Sequence, residues 1–378
     1  MQFNTQAVHG GHIPEPNITP VATPIYLTTT YSQVTPGVYD HYDYTRAGNP
    51  NFTELENQVA SLEHGKFATV FSSGMGAITT LASLLESNDT VLLSDDLYGG
   101  TYRLFNHVFA KFGVKTVIVD MQDLAAFEKS MEKKPKLVFL ENPSNPFLKI
   151  YDIRAIAERK SDALLIADTT LATPYLQNPL LLGADIVLHS TSKYIGGHSD
   201  AIGGILVTNN EELGKRFDFL RKTLGVNPSP MDSWLIARGL KTLGLRLAEQ
   251  EKNASTLANF LAEHKKVRKV YYPGLPSHTN HKVAAEQMRG YGGMLTVDFD
   301  LDLDRVRELV TSFSLFKLAE SLGGVESLVN HPALMTHASI PKPERELRGI
   351  TDSLVRFSVG IESKDDLLED MSRVLNRA

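Results

Sequence analysis

One lysine, Lys193, stands in the run HSTSKYIGGHSD (residues 189–200), with Ser190, Thr191 and Ser192 before it and the pair Gly196 and Gly197 after it. It follows the apolar run DIVL, so its amine is expected at the mouth of a sheet, partly out of bulk water. Burial disfavours the charged form of an amine and makes it nucleophilic, the condition for a Schiff base. Alone, such a lysine reads more readily as a surface residue opening a loop. Ser190 and Ser192 add hydroxyl donors that a phosphate group would use, although serines at strand ends are common.

Four other positions carry chemistry of a matching kind. In SSGMG (residues 72–76) a strand gives way to a helix, where free backbone N–H groups favour an anion and Gly74 allows close approach. An ordinary strand-to-helix turn looks the same, and the spacing is not that of an ATP-binding loop. Asp168 ends the apolar run LLIAD, where a carboxylate needs a partner; a ring N–H would serve, and a helix cap is the plainer alternative. Tyr98, in DDLYGGTYR, follows another strand end and could stack on a flat ring or simply fill a core. Arg356, in VRFSVGI, is a guanidinium within an apolar strand pattern, which reads as an anion clamp or as an exposed edge residue.

Ser190 and Lys193 also form an S-x-x-K pair, the signature of serine acyltransferases, but the supporting SDN and KTG elements are absent. Of the twelve histidines, His9, His12, His189 and His198 show no metal-binding spacing, so no metal is expected. A non-catalytic binding protein is the remaining alternative from another class.

The elements that must position these residues show a clear rhythm. Residues 1–66, rich in Pro, Thr, Tyr and Gly, read as an extended arm of the kind that reaches a neighbouring subunit. From residue 67, apolar runs at 67–74, 90–96, 115–120, 136–142, 163–169 and 185–192 end in polar residues and alternate with helical patterns. That alternation predicts an α/β domain over 67–245 with a doubly wound, mainly parallel sheet and ligands at the carboxyl ends of its strands. One helix covers the sheet through Met75, Ile78, Ala82 and Leu85. A long amphipathic stretch from Leu245 to His264 then leads into a smaller α+β domain over 246–378, with strands in VRKVYYP, MLTVDFD and LVRFSVGI and a terminal helix in LLEDMSRVLNRA.

The 378 residues, 42% apolar, suffice for one large and one smaller core. A net charge of -6 offers no basic stripe for nucleic acid. There is no cysteine, which excludes disulfides, thiolate metal sites and a cysteine nucleophile. The first residues lack a signal-peptide pattern and no run is long enough to span a bilayer, so a cytoplasmic location and no membrane partner are expected.

A lysine amine, phosphate donors from two segments, a carboxylate for a ring nitrogen and a stacking aromatic are the parts needed to hold pyridoxal 5'-phosphate. Over nearly its whole length the chain resembles the pyridoxal-phosphate-dependent enzymes of cysteine and methionine metabolism, of the fold type I transferase class. The matching segments are YTRAGNP, SSGMGA, DDLYGGTYR, ENPSNP, HSTSKYIGGHSD, LGVNPSPMDSW, RGLKTL, YPGLPSH, LAESLGGVESLVNHPALMTH and LVRFSVGIE. The resemblance implies that Lys193 forms the Schiff base and then acts as general base, and that Tyr98 stacks on the ring and assists proton transfer. It implies that Gly74, Met75, Ser190 and Ser192 bind the phosphate and that Asp168 pairs with the ring nitrogen.

Asn145, Ser321 and Arg356 would hold an amino-acid substrate, and Glu320, at the substrate mouth, would suit the distal ammonium of cystathionine. Tyr44 and Arg46 would bind phosphate in a neighbouring subunit's site, within a homotetramer built as a dimer of dimers. The expected reaction is α,γ-elimination of L-cystathionine to L-cysteine, 2-oxobutyrate and ammonia, with γ-synthesis, β-elimination and methionine γ-lysis as the family's alternatives. Methionine γ-lyases usually carry an apolar residue in place of Glu320 and a cysteine in place of Gly100. The family usually has Asn where this chain has Thr169, and Ser339 is expected near the site's mouth.

Overall fold

A computed structural model describes residues 1–11, 20–336, 338 and 342–377, which leaves His12 and Ser339 outside the described residues. The first sheet has seven strands: β1 (Phe67–Phe71), β2 (Thr90–Ser94), β3 (Lys115–Val119), β4 (Leu137–Glu141), β5 (Leu164–Asp168), β6 (Ile186–His189) and β7 (Gly204–Thr208). Their spatial order is β1-β7-β6-β5-β4-β2-β3. All six expected runs are strands, and β6, β5, β4, β2 and β3 pair in parallel.

The seventh strand, GILVT, was not expected. It runs antiparallel between β1 and β6. An antiparallel neighbour needs no crossover helix. The chain from β6 to β7 is therefore a loop, residues 190–203, and this loop carries Lys193. β4 is buried along its whole length and β5 along all but its first residue, as befits strands covered on both faces. Phe71, Leu93, Phe139, Ile166 and Leu188 pack on one face, and Leu92, Val138, Leu140, Leu165 and Ala167 on the other.

The second sheet comprises β8 (Val267–Tyr271), β9 (Met294–Phe299), β10 (Lys317–Leu318), β11 (Leu328–Asn330) and β12 (Leu354–Ser358), in the order β10-β11-β12-β9-β8. All its pairings are antiparallel except that of β10 with β11. The helices Leu243–Ala262 and Lys364–Arg377 are amphipathic, and the second packs Leu367, Met371, Val374 and Leu375 into this sheet's core.

The helix Leu243–Ala262 runs unbroken through position 245. Leu243 and Leu247 join the larger core, and Ala254, Leu257, Ala258 and Leu261 join the smaller one. Residues 1–66 are not extended throughout. Helices occupy Phe3–His9 and Pro50–Leu62. The second begins because the Asn49 side chain caps the Asn51 N–H and Pro50 sits in the first turn; its Phe52, Leu55, Val59 and Leu62 are buried. The intervening residues 20–48 form only isolated bridges, Thr30 with Tyr44 and Thr35 with Val38. They leave Val21, Leu27 and Val34 largely exposed.

Candidate active site

The carboxyl ends of β4, β5 and β6 open onto a cavity of about 920 Å³. Eleven of the thirteen expected site residues line it: Gly74, Met75, Tyr98, Asn145, Asp168, Ser190, Ser192, Lys193, Glu320, Ser321 and Arg356. Tyr44 and Arg46 do not. Tyr44 is exposed, and Arg46 donates from Nη1 to the Lys222 carbonyl, 2.6 Å away, at the surface.

The anion end is built by the helix Gly74–Ala82. Ser73 caps it by accepting the Gly76 N–H at 3.0 Å, so Gly74 and Met75 present the helix-end N–H groups that have no partner within the helix. A Cβ at position 74 would lie 3.0 Å from the Ser190 Cβ, so glycine lets the helix end and the β6 end meet. Ser192 Oγ accepts the Gly203 N–H at 2.9 Å. Its own proton reaches only a distant carbonyl, that of Gly203 at 3.3 Å, and is available to an anion.

Asp168 ends β5, buried at 7% exposure. Its Oδ1 accepts the Thr170 N–H at 3.0 Å and the Thr170 hydroxyl at 2.6 Å. Burial raises its pKa above the ordinary carboxylate value, while the two Thr170 bonds and the charge of His189 oppose that rise. A bound cation at this place would relieve the cost of the buried charge. Thr170 also accepts the Ser190 N–H at 2.8 Å and so links the cation seat to the anion seat.

Lys193 lines the same cavity, its Nζ donating to Ser321 Oγ at 2.8 Å. Burial, and then the nearby Arg356 charge, pull its pKa from 10.5 down to about 8. The amine is directed at Ser321, so the serine–lysine pair of an acyltransferase is not formed with Ser190. Arg356, on β12, donates to Asn145 Oδ1 and to the Ser321 carbonyl, each at 2.9 Å. Its Nε is buried without a partner, and burial pulls its pKa down to about 10. A carboxylate would satisfy it. Next to Asn145 in the chain, the Ser144 hydroxyl contacts the buried Asp96, and burial pushes that acid up to about 6.

Of the histidines named above, His189 Nε2 lies 2.6 Å from Glu63 Oε1 with both side chains fully buried, and His198 Nδ1 meets the Gly196 carbonyl. His9 ends the first helix. Among the cavity residues not singled out in the sequence, two bear on the charges of the site. Glu141, which closes β4 as Asp168 closes β5, carries the same signal of a carboxylate ending an apolar run. The other is Thr170, which bonds both Asp168 and the Ser190 N–H.

A model of the family described as Cys/Met metabolism PLP-dependent enzyme matches residues 4–376. The cystathionine gamma-lyase of Dictyostelium discoideum is 46% identical over 100% of this chain and 98% of the relative. The cystathionine beta-lyase of Lactococcus lactis subsp. cremoris is 46% identical over 99% of each. A crystal structure of cystathionine gamma synthase from Xanthomonas oryzae pv. oryzae in complex with cystathionine superposes with a TM-score of 0.97 at 42% identity, covering 100% of this chain and 98% of that one. The donor set above fits a phosphorylated pyridine aldehyde: N–H and hydroxyl donors, a buried carboxylate and a low-pKa amine line one cavity. The chain is a fold type I member of the Cys/Met metabolism PLP-dependent enzymes, and pyridoxal phosphate is its cofactor.

Proposed function

We propose that the chain cleaves L-cystathionine by α,γ-elimination, consuming water and yielding L-cysteine, 2-oxobutyrate and ammonia. The observation that carries this reading is the polarity of one cavity. Arg356 and Asn145 form a carboxylate cradle within it, and the exposed carboxylate of Glu320 stands on its wall. An amino acid with a second, distal ammonium uses both.

In this reading Gly74, Met75, Ser190 and Ser192 hold the cofactor's phosphate, Asp168 its ring nitrogen, Tyr98 its ring face and Lys193 its aldehyde carbon. Bound there, pyridoxal phosphate supplies an electron sink for charge developing at Cα. The remaining work belongs to the chain. Arg356 fixes the substrate carboxylate through paired N–H donors. The Lys193 amine, with its pKa at about 8, is suited to take the Cα proton near neutral pH and, once that proton is passed on, to take one from Cβ, whose electrons then expel the sulfur from Cγ. Tyr98 supplies a proton to the sulfur that leaves Cγ. Ser321 Oγ gives the freed amine a resting partner. Tyr44 and Arg46, remote from this chain's own cavity, complete the phosphate seat of a second copy within a homotetramer.

Purified protein incubated with L-cystathionine tests the reading through its products. Cysteine and 2-oxobutyrate support it. Homocysteine and pyruvate would instead establish β-elimination, the activity in the name of the Lactococcus lactis relative. Sedimentation of the protein as a monomer at working concentration would remove the shared-site role of Tyr44 and Arg46.

A further inference from the structure

Two carboxyl groups, not one, line the floor of the cavity. Glu141 and Asp168 are cross-strand partners in the parallel pairing of β4 with β5, both line the cavity, and both are buried, at 6% and 7% exposure. Two like charges at adjacent strand ends in a low-dielectric site repel each other, and one of them gives way. The hydrogen bonds are unequal. Asp168 accepts two from Thr170, whereas Glu141 accepts a single N–H, that of Tyr98 at 2.7 Å.

We propose that Glu141 is a positioning residue: a neutral carboxylic acid that holds the Tyr98 backbone over the cavity and leaves Asp168 the single negative charge facing the ring, a division set by Thr170. The electrostatic surroundings agree. Burial, and next the charge of Asp168, drive the Glu141 carboxyl well above its ordinary pKa. The other charged groups facing it are Asp96, which pushes the same way, and Arg356, which opposes. A second carboxylate here would overcharge the cation seat, and its neutral form keeps the acceptor oxygen that Tyr98 needs. This inference rests on the cofactor and is independent of the substrate.

The test uses no substrate. Apoprotein is titrated with pyridoxal phosphate and followed by visible absorbance, for the wild type, Glu141→Ala, Glu141→Gln and Thr170→Val. Glu141→Ala frees the Tyr98 backbone and should weaken cofactor binding about tenfold, the loss of one buried hydrogen bond. Glu141→Gln, an uncharged side chain that keeps the acceptor, should restore wild-type affinity. Thr170→Val removes the hydroxyl bond that favours charge on Asp168 and should cost about tenfold as well. The infrared difference between wild type and Glu141→Gln at neutral pH should show a protonated carboxylic acid that the variant lacks. Glutamine binding as weakly as alanine, or a difference spectrum showing a carboxylate instead, would overturn the proposal. The glutamine variant and its spectrum decide the matter even where alanine fails to fold.

Discussion

The floor of the cavity is made of strand ends. Glu141, Asp168 and Ser190 lie at or directly after the carboxyl ends of β4, β5 and β6, and the ladder bonds of a sheet covered on both faces set their backbone. The rim from Ala319 to Gly323 is held differently. Ser321 adopts φ 82° and Gly323 φ 80°, and the segment is fixed by bonds from elsewhere: Arg356 to the Ser321 carbonyl and the Gly323 N–H to Ser358 Oγ at 2.8 Å. A Cβ at Gly323 would lie 2.6 Å from the Tyr194 nitrogen, so the turn depends on glycine. Glu141 and Asp168 on the floor are buried, where charges interact more strongly than in water. Glu320, on the rim, is exposed and screened by water. Removing a charge from the floor should therefore cost tenfold or more, and removing one from the rim only a small factor.

The largest effect belongs to Lys193. Lys193→Ala should lower the release of 2-oxo acid by about 10³-fold or more, because it removes the proton carrier itself. Retention of full turnover would sink the role given to this amine.

The depressed pKa of that amine gives a second prediction, made on the apoprotein. With its pKa at about 8, Lys193 is half unprotonated at pH 8. An ordinary lysine with a pKa near 10.4 is then only about 0.4% unprotonated. Burial disfavours the cation, so the nucleophilic form grows as pH rises and levels off above 8. Borohydride trapping of a small aldehyde should label position 193 about a hundredfold faster than surface lysines at pH 8. The labelling rate should fall about tenfold per unit once pH drops well below that midpoint. A site-resolved rate still climbing between pH 9 and 10 would show an unperturbed amine.

A third test separates charge from shape on the floor. Asp168→Asn keeps the outline and removes the buried charge, so cofactor affinity should fall about 10- to 100-fold, the range for a hydrogen bond to a charged group. Titration of the apoprotein by absorbance measures it. An unchanged dissociation constant would mean that the ring nitrogen is held by another group.

The same contrast explains what could be read from the chain. Six of the seven strands of the large sheet, and the polar residues ending them, follow from alternating apolar runs, because a doubly covered parallel sheet imposes that pattern locally. Lys193 and Asp168 stood out as polar residues closing such runs. Glu141 carried the same signal at the end of LVFLE but competed with the ENPSNP match around it, and only the cross-strand register shows that it faces Asp168. β7 was missed because an antiparallel strand breaks the alternation of strand and helix. Glu320 and Ser321 have no local signal at all. Their place depends on β12 delivering Arg356 to the Ser321 carbonyl 35 residues earlier in the chain, a long-range contact, and resemblance alone pointed to them. The helix Pro50–Leu62 was overlooked although Asn49–Pro50 is a good start signal, because the proline-rich neighbourhood masked it.

The rim makes the smallest and most selective prediction. Glu320→Ala removes a carboxylate that is exposed to solvent, and exposed ion pairs are worth about 0–1 kcal/mol, or up to about fivefold in affinity. The KM for L-cystathionine should therefore rise about three- to fivefold with little change in kcat, because the distal ammonium lies away from the bonds that break. A substrate with one amino group should lose almost nothing. Raising the ionic strength should shrink the wild-type advantage toward the variant's value, since salt screens an exposed pair and leaves the buried cradle at Arg356 nearly untouched. Equal losses for both substrates, or a gap insensitive to salt, would mean that Glu320 shapes the rim turn beside Ser321 and does not read the substrate's second charge.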